Sequence, residues 1–114
     1  MSGRVLYLSG PMTGYPNNNL AAFDHAEELL TNADYQVISP ANAARITAWE
    51  LTWTEYMQTA IRAIYQADGL ALLPGWPGSK GAQIEVTVAT CRGIPVAPVA
   101  DWLRREYKEN EEWR

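Results

Sequence analysis

The chain holds one cysteine, one histidine and one phenylalanine in 114 residues, and its charges sum to −4. Each scarcity excludes something. Cys91 alone makes no intramolecular disulfide, and no Cys/His set stands at zinc spacing, so a disulfide framework or structural metal is not expected and a reducing compartment fits. A chain with a pI near 4.9 has no global positive field for a phosphate backbone. A nucleic-acid polymer is therefore disfavoured as a partner, although a single nucleotide needs only a local anion site. No apolar run reaches the ~20 residues of a membrane span, and the N-terminus lacks a secretory signal's apolar stretch and cleavage site. A cytoplasmic protein without membrane contact is expected. Repeats and low-complexity tracts are also missing, and 114 residues suffice for one core, so a single domain over 1–114 is expected.

What is present is a globular composition, 47% hydrophobic and 19% charged, with five Trp and six Tyr. "RVLYLSG" (4–10) is an apolar, β-rich run stopped by Ser-Gly-Pro, which reads as a buried strand. The Pro- and Asn-rich stretch 11–19 reads as a loop in which Asn18 or Asn19 can cap the next helix. Over 20–32, Leu20, Phe23, Ala26, Leu29 and Leu30 recur at helical spacing. Residues 35–39 read as a second strand. Thr52 or Thr54 can cap a helix over 54–68, and the near-continuous apolar run 69–75 reads as a strand buried on both faces. Residues 81–93 read as a helix turning Ile84, Val88 and Cys91 inward and ending at Gly93. A strand over 94–99 and a charged helix over 100–114 capped by Asp101 complete the chain.

Strand and helix alternate, which predicts an α/β domain with a parallel sheet of four or five strands and right-handed crossovers. Ligands bind such sheets at the carboxyl ends of the strands. The loops there are 9–19, 39–53 and 74–81. In the first, "SGPMTG" brings Ser9, Gly10 and Met12 to the strand end, either as a simple Pro/Gly turn or as a place for an anion or sugar. It is neither a dinucleotide fingerprint nor a Walker loop.

"PGWPGSKGAQIE" (74–85) is more specific. Gly81 at a helix start lets a ligand approach free N–H groups that favour an anion, and Ser79 and Lys80 add a hydroxyl and a mobile cation. Glu85 follows about one turn in, where the helix dipole is expected to keep it ionised. A carboxylate beside an anion cradle repels phosphate, unless the ligand is long enough to set its phosphate on Ser79 and Gly81 and an anomeric carbon on Glu85. The alternative is a solvated first-turn glutamate. Trp76 and Trp49 lie on ligand-side loops and could stack on a base or be buried in a subunit contact; Tyr15 and Asn17 to Asn19 could read a base edge. His25 reads as surface and Cys91 as a small core residue.

"YLSGPMTG", Trp49-Glu50, "DGLALLPGW" (68–76) and "SKGAQIEVTVA" (79–89), in that order, resemble the nucleoside 2-deoxyribosyltransferase superfamily, most nearly its short phage and bacterial members, over about residues 5–98. The resemblance implies a flavodoxin-like (Rossmann-like) three-layer sandwich, cleavage of an N-glycosidic bond without a cofactor, and Glu85 as nucleophile. It sets Tyr7 near the nucleophile, although Tyr7 could equally be core, and Ser9 near the sugar or phosphate. In its transferases an Asp stands six residues before the nucleophile; its 5′-monophosphate hydrolases have Ser there, as this chain has Ser79. A hydroxyl donates to phosphate where a carboxylate repels it. Relatives carry an Asp near the leaving base where this chain has Thr59 or Ala60; Glu50 or Glu55 could substitute. Asp68 matches a junction aspartate read as structural. Relatives complete the pocket from a second subunit, so a homodimer or higher oligomer is expected. The readings are therefore hydrolysis of a (deoxy)nucleoside 5′-monophosphate, base exchange by a deoxyribosyltransferase, or nucleotide binding without chemistry. A faint echo of plant-hormone phosphoribohydrolases lacks their Gly-Gly-x-Gly-Thr.

Overall fold

The computed structural model describes residues 3–42 and 52–105. Four strands form one sheet, all parallel, in the order β2-β1-β3-β4: β1 Val5–Ser9, β2 Gln36–Ile38, β3 Gly69–Leu72 and β4 Val96–Pro98. Helices α1 (Leu20–Asn32), α2 (Trp53–Ile64), α3 (Lys80–Arg92) and α4 (Val99–Arg105) follow the strands in turn. This is the flavodoxin-like, Rossmann-like sandwich expected from the alternation, with a four-stranded sheet. No helix among the described residues is long and apolar enough to cross a membrane.

Two cores result from the two-residue period of the strands. Leu6 and Leu8 of β1 and Ala71 of β3 face one side, where they pack with Phe23, Ala26 and Leu30 of α1 and Trp102 of α4. Tyr7, Leu70 and Leu72 face the other, against Ala60 and Ile64 of α2 and Ala89 of α3. Strand β3 is buried at every residue, as its unbroken apolar run requires between two helical layers. Trp102 is fully buried, its indole N–H donating to the Leu70 carbonyl at 3.0 Å, and Tyr35 meets its ring edge-on and donates its hydroxyl to the Trp102 carbonyl.

Local chemistry sets the boundaries. Helix α1 spans the expected residues, but Leu29 is exposed. Asn19, at its N-cap position, caps nothing with its side chain, which instead donates to the Pro11 carbonyl; Asn17, Asn18 and Asn19 all take left-handed φ, a conformation asparagine tolerates better than most residues. Helix α2 starts with a reciprocal capping box: the Glu55 N–H donates to Thr52 Oγ1, and the Thr52 N–H donates to Glu55 Oε1. Glu55 is thereby a cap. Helix α3 ends at Gly93, whose φ of 82° suits glycine. Asp101 lies inside α4, which begins at Val99, so it does not cap that helix as expected. Asp68 is structural: its carboxylate accepts from the Val5 N–H at 2.8 Å and its own N–H donates to the Val5 carbonyl.

The inward face of α3 is also not the expected one. Ala82, Glu85 and Ala89 are its buried residues, Ile84 and Val88 are half-buried, and Cys91 is exposed. Small alanines let the helix lie close to the sheet, and that rotation carries Glu85 inward and Cys91 out.

Candidate active site

The order β2-β1-β3-β4 reverses direction between β1 and β3, and the crevice at their carboxyl ends is where parallel α/β sheets place ligands. A cavity of about 580 Å³ opens there, within the usual size range of small-molecule sites. Its walls come from the loop after β1 (Gly10, Met12, Tyr15, Asn18), the start of α2 (Thr52, Trp53, Tyr56) and the start of α3 (Ser79, Lys80, Gly81), with Glu85 among them.

Gly10 holds the first wall in place. A Cβ there would sit 2.7 Å from Leu73 Cβ, so the loop after β1 can lie against the end of β3 only because position 10 has no side chain. On the third wall, Ser79 is the N-cap of α3, its Oγ accepting from the Ala82 N–H at 3.2 Å. That bond occupies a lone pair and leaves the hydroxyl proton for a ligand. The first N–H groups of a helix have no partner within it, which leaves those of Lys80 and Gly81 facing the same end. A Cβ at position 81 would meet Met57 Sδ of α2 at 3.4 Å, an ordinary contact, so packing alone does not require glycine there. Lys80 Nζ lies 5.2 Å from the centre of the Trp53 ring, a cation–π contact linking the starts of α2 and α3.

Glu85 is the chemical centre. It is only 4% exposed, and each carboxylate oxygen accepts one hydrogen bond: Ser9 Oγ donates to Oε1 at 2.6 Å and Tyr7 Oη donates to Oε2 at 3.1 Å. Tyr7 and Ser9 are two residues apart on β1 and so point to the same face of the sheet, the face α3 covers. Burial pushes the Glu85 carboxyl up to about 7, and the hydrogen bonds from Ser9 and Tyr7 act in the opposite sense. This corrects the expectation of a carboxylate kept ionised by the helix dipole. Glu85 is the sixth residue of α3, past the first turn to which that effect is confined, and desolvation outweighs it. The Tyr7 phenol is driven well above its ordinary range, first by burial and then by the Glu85 charge, so it remains a donor.

Most of the expected site residues meet here. Gly10, Met12, Ser79, Lys80, Gly81 and Glu85 share the cavity, as do Tyr15 and Asn18 from the loop. Ser9 and Tyr7 lie behind the carboxylate, 0% and 2% exposed and outside the cavity lining, so Ser9 holds Glu85 where a place beside sugar or phosphate was expected for it. Trp76 is half-buried against the core formed by Tyr7, Ala60 and Leu72, outside the cavity lining, which replaces its stacking role with packing. Trp49 and Glu50 lie outside the described residues. Trp53 and Tyr56, not singled out from the sequence, supply aromatic wall; the signal was there, since residues just after a helix cap and three apart share one face.

A buried acid that titrates near neutrality at the floor of a cavity can attack an electrophilic carbon when ionised, or donate a proton when neutral. A search of curated proteins finds no match to this chain. The model of the DUF4406 family, a domain of unknown function, matches residues 4–98, which takes in both strand ends and all of α3, and the chain belongs to that family.

Proposed function

We propose that this protein cleaves the N-glycosidic bond of a nucleoside or deoxynucleoside 5′-monophosphate, with Glu85 as nucleophile. One observation carries the reading: a buried carboxylate, held at both oxygens, shares a cavity with the Ser79-Lys80-Gly81 start of its own helix. Glu85 stands six positions after Ser79, about 9 Å along the helix axis, enough for a phosphate at one end and a pentose between. Tyr15, Trp53 and Tyr56 give the remaining space a flat, apolar lining suited to a base. The resemblance to the deoxyribosyltransferase superfamily, with Ser79 in the position of its monophosphate hydrolases, points the same way.

In this mechanism an ionised Glu85 oxygen bonds to C1′ as the C1′–N bond breaks, and the base leaves with the bonding pair. Water then attacks C1′, the ester to Glu85 breaks, and the proton lost by water ends on the base. Ser9 and Tyr7 hold the carboxylate in line for attack. Incubation with a panel of nucleotides and chromatography for free base tests the proposal: base release that vanishes in Glu85→Ala supports it, and no release from any nucleotide at high protein concentration refutes it. A nucleoside with an acceptor base, in the same assay, separates base exchange from hydrolysis.

A second reading, nucleotide binding without cleavage, is favoured by Ala60. It is buried at 3% exposure in the core beside Tyr7, an apolar residue where relatives by resemblance carry an acid for the leaving base. Tight binding of nucleotides that stay intact, unchanged or improved in Glu85→Ala, would select it.

A further inference from the structure

We propose that Tyr56 is the hydrogen-bond donor to the departing base, the place in the reaction that Ala60 leaves unfilled; this rests on the glycosidase reading above.

When the C1′–N bond breaks, its electron pair stays on the base, and charge builds on a ring nitrogen or carbonyl oxygen. A donor aimed at that atom lowers the barrier. Among the described residues the cavity's other hydroxyls are open to water or stand away from a leaving base. Thr13, Tyr15 and Thr52 are exposed, and Ser79 lies at the anion end, where it caps α3. Glu55 is half of the α2 capping box.

Tyr56 differs from all of these. It is half-buried on the cavity wall, one turn into α2, and its hydroxyl donates to Met12 Sδ at 3.2 Å. A thioether is a weak acceptor, so a base heteroatom would win that proton readily. Met12 also lines the cavity, which places the hydroxyl between α2 and the loop after β1 and within the site. Burial, and after it the Glu85 charge, push its phenol well above its ordinary range, so it stays a donor and senses the same carboxylate that would attack C1′. The Tyr56 O–H bond remains intact through the step. The base leaves as the hydrogen-bonded anion and takes its proton from the water that resolves the ester.

The test compares two leaving groups in wild type and Tyr56→Phe: a natural nucleoside 5′-monophosphate, and the 4-nitrophenyl glycoside of the same sugar 5-phosphate, whose phenolate departs unaided. Tyr56→Phe is expected to slow base release about 100-fold and to leave nitrophenolate release nearly unchanged, which also reports a folded variant. An equal loss on both substrates, or no loss on either, overturns the assignment while leaving the glycosidase reading intact. Failure of wild type to cleave either substrate removes both. Should Tyr56→Phe not fold, Tyr56→Leu, which also lacks a donor, is compared with wild type on the same pair: selective loss on the nucleotide supports the assignment, and equal loss or no loss overturns it.

Discussion

Ser9 Oγ lies 2.6 Å from Glu85 Oε1, joining the last residue of the first strand to the third helix across 76 positions of sequence. Both side chains are buried, so the contact fixes the position of the acid and favours its ionised form against the burial that raises its pKa.

The first prediction concerns activity against pH. The Glu85 carboxyl titrates near 7, and attack on C1′ needs the ionised form. On the proposed reading kcat/KM rises with pH through a limb centred near 7 and then levels. Rates on a nucleoside lacking phosphate check that the limb belongs to the protein, since a phosphate's own second ionisation falls at about 6.

Removing either donor moves that limb. Both hydrogen bonds favour the ionised acid, Ser9 more than Tyr7. Ser9→Ala is expected to shift the limb to higher pH by about one unit, from a charge-assisted bond worth roughly 1.5–3 kcal/mol in part offset by water entry, and Tyr7→Phe by less. pH–rate profiles of the two variants would establish the order.

Stability responds with the opposite sign. Because the folded acid holds its proton up to about 7 against 4.5 for the ordinary value, the folded state binds more protons than the unfolded chain between those pH values. Stability therefore falls as pH rises through that window, by about 3 kcal/mol in all. Glu85→Gln removes the dependence, and urea denaturation of the two proteins at pH 5 and pH 8 should show the variant gaining on wild type at the higher pH.

Gly10→Ala tests the close approach of the loop to β3. The added methyl would lie 2.7 Å from Leu73 Cβ, and the neighbouring atoms belong to a buried residue. A loss of about 1–3 kcal/mol is expected in chemical denaturation, the usual range for overpacking.

Local signals made much of this legible from sequence. Apolar runs bounded by Gly and Pro marked β1 and β3, the spacing of Leu20, Phe23, Ala26 and Leu30 marked α1, and Thr52, one of two candidate caps, marked the start of α2. The grouping of Gly10, Met12, Ser79, Lys80, Gly81 and Glu85 followed from the alternation, because parallel strands gather their carboxyl-end loops at one edge. The resemblance set Tyr7 near Glu85, where its hydroxyl does lie, but Ser9 as the second donor was not readable, since contact between residues 9 and 85 is a property of packing. The orientation of α3 was misread because its buried stripe is Ala82, Glu85 and Ala89, which periodicity scores as weakly apolar, while Ile84, Val88 and Cys91 score highly and face less inward. Asn18 or Asn19 looked like a helix cap, and Asn17 to Asn19 form instead a left-handed run with Asn19 bonded backwards to Pro11.

The match to the DUF4406 family stops at residue 98, the end of β4, whereas Trp102 belongs to the helix beyond it. Gly69, at the start of β3, has no room for a Cβ because the Trp102 ring would stand 2.5 Å from it. A shortened chain ending at the family boundary would thus carry a strand already carved to receive an absent indole, open on the side of the sheet away from Glu85. Losing a buried tryptophan costs about 3–5 kcal/mol, against a whole-domain stability of roughly 5–15 kcal/mol. Such a truncated product would be a poor stand-in for the protein in any assay, and its inactivity would report on a missing wedge and say nothing about the pocket.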